Sequence, residues 1–175
     1  MKFKHLLIAA VAAVSTVLPA QARVERSTER LLQVISPNVL IAINDTKCDT
    51  HNIHGAYVTI GTGAGHGRKM VLCPGDGKAK AIDHSTVRHE MVHVLQHCVN
   101  VQRGTPRNTP IIQDIDKLAG LVNTYVPEDQ VTFIKSSYPR HKWLVEFEAN
   151  YGERAFSSTQ LIELWDEFDC ADVLK

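Results

Sequence analysis

In the stretch Thr86-Val-Arg-His-Glu-Met-Val-His-Val-Leu-Gln-His-Cys98, three histidines fall four residues apart around a single glutamate. His89 and His93 stand at i and i+4, which on a helix sets two imidazoles one turn apart on one face, within reach of one ion. Glu90 lies on the adjacent face, where a carboxylate can reach a water on that ion and take its proton. The chemistry this pattern would serve is hydrolysis at a zinc site. His97 cannot share the ion. Eight residues from His89 is about 12 Å along a helix at 1.5 Å per residue, whereas zinc–nitrogen bonds are about 2 Å long. It is expected as a hydrogen-bonding side chain on the flank of the helix.

A hydrolytic zinc needs a third protein ligand and one open position. The extended H-E-x-x-H-x-x-G-x-x-H pattern of metzincins would need Gly at 96 and His at 99, where the chain has Gln96 and Val99, so that group is excluded. No carboxylate occurs between His93 and Asp114. Asp114 and Asp116 open a helix, where acids are ordinary for dipole reasons, and stay as weak candidates. Further on, Trp143-Leu-Val-Glu-Phe-Glu-Ala-Asn-Tyr-Gly-Glu153 carries two more. Helical periodicity groups Glu148 with Leu144, Val145, Tyr151, Gly152 and Ala155, the more apolar side, and Glu146 with Trp143, Ala149, Asn150 and Glu153. On periodicity alone Glu148 is the more inward, and either could complete the site.

Glu146-Phe-Glu-Ala-Asn150 matches the E-x-x-A-[DN] segment with which several zinc metallopeptidase families complete H-E-x-x-H. Over these two helices the chain resembles the gluzincin group. The resemblance implies Glu146 as third ligand with Glu148 as the alternative, and Asn150 as a partner that orients a ligand. It implies Zn2+ as cofactor, Glu90 as the base, a peptide or protein as substrate, and a zincin-like α+β fold with a small sheet packed on the H-E-x-x-H helix and a helical C-terminal part. Tyr138, His141 and Tyr151 lie near enough in sequence to donate to a developing oxyanion. By analogy with zincin folds, the strand Lys69–Cys73 would offer its edge to an extended substrate. Two rivals remain: a disulfide-stabilised binding module whose zinc is structural or vestigial, and a zinc hydrolase acting on other bonds. Glu90 argues for catalysis, since a structural site has no need of a carboxylate beside an open coordination position. His51, His54 and His66 could form a separate metal site in the loops, although scattered histidines are more often surface groups.

The elements that must hold these residues can be read from the same sequence. The chain has 175 residues, enough for one domain with its own core. Lys2 and Lys4 precede an apolar run to Val17, followed by Pro19 and Ala20-Gln-Ala22, the pattern of a secretory signal peptide over 1–22 with the mature domain at 23–175. The run of about 12 apolar residues is short of the roughly 20 that span a bilayer, so no membrane insertion is expected after cleavage. Without Lys2 and Lys4 the 19 basic residues become 17 against 19 acidic, a balance that gives no reason to bind nucleic acid. The four cysteines, in a chain bound for an oxidising compartment, are expected as two disulfides, preferably Cys48–Cys73 and Cys98–Cys170.

Helices are expected at Ser27–Ile35 capped by Ser27, from Asp83 with Ser85 or Thr86 as cap, and at Ile111–Asn123 with Pro110 in its first turn. Others are expected from Pro127 to Ser136, His141–Phe156 and Thr159–Phe168. Val39–Ile43, Ala56–Ile60 and Lys69–Cys73 read as strands. Gly61–Gly67 lacks the spacing of a phosphate-binding loop and reads as a hairpin connection.

Overall fold

A computed structural model describes residues 20–43, 48, 54–60, 67–73, 82–106 and 109–175. The elements are α1 (Ala20–Ile35), β1 (Leu40–Ile43), β2 (Gly55–Ile60), β3 (Gly67–Leu72), α2 (His84–Arg103), α3 (Ile115–Tyr125) and α4 (Glu128–Ser137). After a 3-10 turn (Arg140–Lys142) come α5 (Trp143–Ala155), α6 (Ser158–Glu167) and α7 (Cys170–Val173). A small mixed sheet followed by helices makes this an α+β fold. Of the expected signal segment, residues 1–19 lie outside the described residues, as do His51 and His66.

The sheet runs β1-β3-β2, with β1 parallel and β2 antiparallel to β3. β3 takes the centre because Met70, Val71 and Leu72 are its most apolar residues, and all three are fully buried. Both its edges are therefore occupied, which corrects the expectation that Lys69–Cys73 would offer an edge to a substrate. The strand at the sheet margin beside α2 is β2. Its last residue pairs with the first of β3, Ile60 opposite Gly67, and the expected glycine-rich connection between them, 61–66, lies outside the described residues.

The helix α2 is the axis of the fold. Val87, Met91, Val94, Leu95 and Cys98 are buried in one apolar cluster with Leu31 and Ile35 of α1, Met70 and Leu72 of β3, and Leu161 and Trp165 of α6. Its cap is Asp83, whose carboxylate accepts from Ser85 N–H and O–H, and not Ser85 or Thr86. An aspartate at that position satisfies an orphan donor and favours the positive end of the helix dipole, so it outcompetes the hydroxyls one turn in. The helix stops at Gly104, which sits in the left-handed region at φ 62 and turns its N–H back to Asn100 and Val101.

Three helix starts differ from expectation. α1 is already helical at Ala20, the first described residue, so Ser27 lies within it and is not its cap. α3 begins at Ile115 with Asp114 as its cap, accepting from Lys117 N–H, which leaves Pro110 to Gln113 outside the helix. α5 begins at Trp143, since Arg140–Lys142 after Pro139 winds as a 3-10 turn. Ser157 caps α6 in a reciprocal capping box with Gln160.

Both disulfides take the preferred pairing. Cys48–Cys73 spans Cα atoms 5.5 Å apart, and Cys98–Cys170, at 5.6 Å, ties α2 to α7. Among the described residues no helix is long and apolar enough to cross a membrane.

Candidate metal centre

α2 and α5 meet face to face, and the closeness of that contact decides which side chains can converge. At the crossing, Gly152 of α5 faces Val92 of α2 so tightly that a Cβ on Gly152 would stand 2.6 Å from Val92 Cγ2. Beside the crossing, His89, His93 and Glu146 come together, their candidate ligand atoms all within 4.8 Å of one another. Glu146 Oε2 lies 3.5 Å from His89 Nε2 and 3.6 Å from His93 Nε2. Asp114 and Asp116 are not part of this group.

The far nitrogen of each imidazole is held. His89 Nδ1 is 3.0 Å from Glu153 Oε2, a carboxylate that can only accept when ionised, so Nδ1 donates. His93 Nδ1 is 2.7 Å from Gln96 Oε1. The Gln96 amide is oriented by its other end, where Nε2 donates to Val145 O at 3.0 Å and to Glu148 Oε2 at 2.9 Å. Its carbonyl must therefore face His93, whose Nδ1 carries the hydrogen. Each ring therefore turns its Nε2 edge toward Glu146, the edge with which it can ligate a metal once no proton occupies it.

Two imidazole nitrogens and a carboxylate oxygen that converge share a cation, a proton in the metal-free protein or a metal ion when one is bound. The spacing suits one: donors bonded at 2.0–2.1 Å in a tetrahedron lie about 3.3–3.4 Å apart. The 3.5 and 3.6 Å separations here are close to that and too long for a good hydrogen bond. Glu146 Oε2 is also a buried oxygen with no hydrogen-bond partner, and so is Glu90 Oε2. Each of these buried carboxylates thus has one oxygen open to a further partner, and His2Glu is a donor set zinc takes. The residues present thus fit Zn2+.

The electrostatics express the same demand. Burial works against a charged His89, but the facing Glu146 and Glu153 carboxylates outweigh it and raise the imidazole to about 10. Burial likewise opposes ionisation of Glu146, and the two histidines overcome it and lower its carboxyl to about 2. Glu90 moves the other way: burial raises it, against the pull of His89 and His93, and Glu146 adds to the rise. A carboxyl raised toward neutrality is the better matched to accepting and returning a proton.

Glu90 is held at the sheet margin. A Cβ on Gly55 would stand 2.8 Å from Glu90 Oε1 and 2.7 Å from Thr86 Cγ2, so only glycine lets β2 approach α2 here. The Tyr57 main-chain N–H also faces the Glu90 carboxylate. Over this group opens a cleft of about 350 Å³, bordered by Gly55–Thr59 of β2, by His89, Glu90, His93 and Glu146, and by Tyr138 and Lys142. His97 stands in the same cleft, its ring edge-on to Tyr57 at 5.8 Å, outside the group of ligand atoms.

Glu148 is as inward as periodicity suggests, but it does other work. Its Oε2 accepts from Ile111 N–H and Gln96, and its Oε1 from Ile112 N–H, with the main-chain bonds both at 2.7 Å. Asn150 donates to the main-chain oxygen of Glu146, so it braces the α5 backbone behind that residue. Of the three candidate oxyanion donors, only Tyr138 lines the cleft. Its phenol is raised to about 12 by burial and by Glu146 and Glu90. His141 is exposed on the 3-10 turn, and Tyr151 packs against Tyr125 and Phe156.

Two functional side chains escaped the sequence reading. Glu153 shares the stripe of Glu146, seven residues on, and Gln96 sits one turn beyond His93 on its own helix. Both offsets were visible as a signal. No family model, curated protein or solved structure matches this chain.

Proposed function

We propose that this chain is an exported, zinc-dependent metallopeptidase of gluzincin type on a zincin-like fold. The observation that carries the reading is the convergence of Glu146 Oε2 on His89 Nε2 at 3.5 Å and His93 Nε2 at 3.6 Å, beside the buried Glu90. Zn2+ bound there would supply Lewis acidity and lower the pKa of water toward about 7. Glu90 takes the proton of the attacking water and returns it to the leaving amine. Tyr138, protonated across the working pH range, donates to the developing oxyanion.

β2 is the strand placed to align an extended substrate. His54 O accepts from Cys73 N–H, so alternation turns the main-chain groups of 56, 58 and 60 toward β3. Those of 55, 57 and 59 then face the cleft side. Export agrees with two disulfides. The rival reading, a disulfide-stabilised module with a structural zinc, leaves unexplained the buried Glu90 oxygen and the cleft in front of it.

The test is Glu90→Gln, which keeps shape and removes the base. The proposal expects one zinc per chain in both proteins and a loss of peptide cleavage of about 10²-fold or more in the variant. Equal cleavage by the two, or a binding module's absence of any cleavage in either, sinks it.

A further inference from the structure

The cleft continues past the reacting centre. The lobe already described follows α2 from Glu90 toward His97 and ends at the exposed Lys142. A second lobe of about 330 Å³ follows α2 the other way to Asp83 and is walled by Phe133 and Ile134 of α4 and Arg154 of α5. Gly55, His89, Glu90 and Tyr138 belong to both. The centre therefore lies midway along a groove with two lobes of nearly equal size. From Asp83 to His97 the helix advances about 21 Å at 1.5 Å per residue, the span of about six extended residues at 3.3–3.6 Å each.

Resting on the metallopeptidase reading, we infer that the site is an endopeptidase site, taking an internal stretch of about six extended residues and cutting near its middle. Water adds to the scissile carbonyl carbon, the C–N bond breaks, and the proton held by Glu90 leaves on the new amine, giving a free carboxylate and a free amine. A site that trims chain ends must hold a free α-amino or α-carboxylate beside the scissile bond with an opposite charge. Among the described residues of the second lobe the charged side chains beside the centre are Glu153, engaged by His89 at 3.0 Å, and Arg154, which pairs with Glu153 at 3.6 Å. Asp83 stands at the far end and accepts from Ser85. Among the described residues lining the first lobe the one lysine or arginine is Lys142, exposed at the rim.

The second lobe also presents an apolar contact to a substrate side chain. Phe133 is 55 % exposed on the wall of that lobe, beyond the reach of the reacting centre. A substrate long enough to fill both lobes covers it, and one held by its terminus in the first lobe does not.

The zinc-loaded protein is offered twelve-residue peptides acetylated and amidated at their ends, the same peptides with free ends, and a series shortened to three residues. Products are identified by mass spectrometry. The inference expects internal cuts in blocked and free peptides at kcat/KM within about threefold of each other, and a fall of more than about tenfold between six and three residues. Phe133→Ala is expected to lower kcat/KM for the long peptide about three- to tenfold with zinc content unchanged. Removal of one or two residues from free-ended peptides only, most plainly if Lys142→Ala abolishes it, overturns the endopeptidase assignment while leaving the metallopeptidase standing. An unaltered rate in Phe133→Ala overturns the use of the second lobe. If a zinc-loaded protein cuts none of the peptides, the metallopeptidase reading itself falls, and this inference with it.

Discussion

Replacing Glu148 by glutamine separates the roles of Glu148 and Glu146 on α5. The side chain is 3 % exposed and acts only as an acceptor, from Gln96 Nε2 at 2.9 Å and from Ile111 and Ile112 N–H at 2.7 Å. Glutamine has the same shape but must turn its NH2 toward at least one of these donors. The least costly orientation sets it against Ile112 N–H, keeping the other two bonds in weakened neutral form. A lost hydrogen bond to a charged group is worth about 1.5–3 kcal/mol, and a buried donor left unsatisfied costs about 1–3 kcal/mol, the two overlapping in part. The expected destabilisation is about 2–4 kcal/mol, or roughly 4–16 °C in Tm at this chain length. Chemical unfolding of the metal-free protein measures it, with zinc content at saturating metal measured in parallel. Glu148→Gln should keep one zinc per chain and Glu146→Gln should lose it. A Glu148→Gln protein of unchanged stability that no longer binds zinc would refute the reasoning.

Other perturbations probe the surrounding supports. Gly152→Ala gains about 1 kcal/mol of helix propensity but drives a methyl into Val92, a β-branched side chain that cannot swing aside. Overpacking of that kind costs about 1–3 kcal/mol, so zinc affinity should fall as α5 is displaced, and Gly152→Ala with Val92→Ala should recover it. Gln96→Leu and Glu153→Leu each release an imidazole and should weaken zinc about 10–100-fold by competition titration, with stoichiometry intact. In the metal-free protein, His89 rises from 6.5 to about 10 on folding, a raised pKa. Its contribution to stability is therefore complete below pH 6.5 and is lost as pH climbs toward 10, while zinc affinity increases over the same interval as the competing proton leaves. Urea unfolding and zinc titration at pH 6, 8 and 10 check both, and a flat profile in either would contradict the electrostatic account.

Much of the site was legible because helix geometry is rigid. The i, i+4 spacing of His89 and His93 and the exclusion of His97 by about 12 Å follow from rise per residue alone, whatever packs against α2. The choice between Glu146 and Glu148 did not follow, because periodicity says which side chain points inward and not what meets it there. Both are buried, one facing the histidines and the other the Ile111–Ile112 backbone. Pro110 before that segment suits the first turn of a helix. The segment's N–H groups instead find a carboxylate 36 residues downstream, a tertiary partner no local pattern reveals. The same holds for β2. Strand order depends on which segment buries both faces, and only the assembled sheet distinguishes the marginal strand from the central one.

The most direct test of the metal centre is zinc K-edge X-ray absorption of the zinc-loaded protein beside its Glu146→Gln variant. The account predicts a shell of nitrogen and oxygen only, at about 2.0–2.2 Å, with scattering from two imidazoles, and a variant that holds less zinc or loses one oxygen from the shell. With all four cysteines in disulfides, sulfur at about 2.3 Å has no source among the ligands. A sulfur shell, a single imidazole, or a spectrum and zinc content unchanged in Glu146→Gln would contradict it.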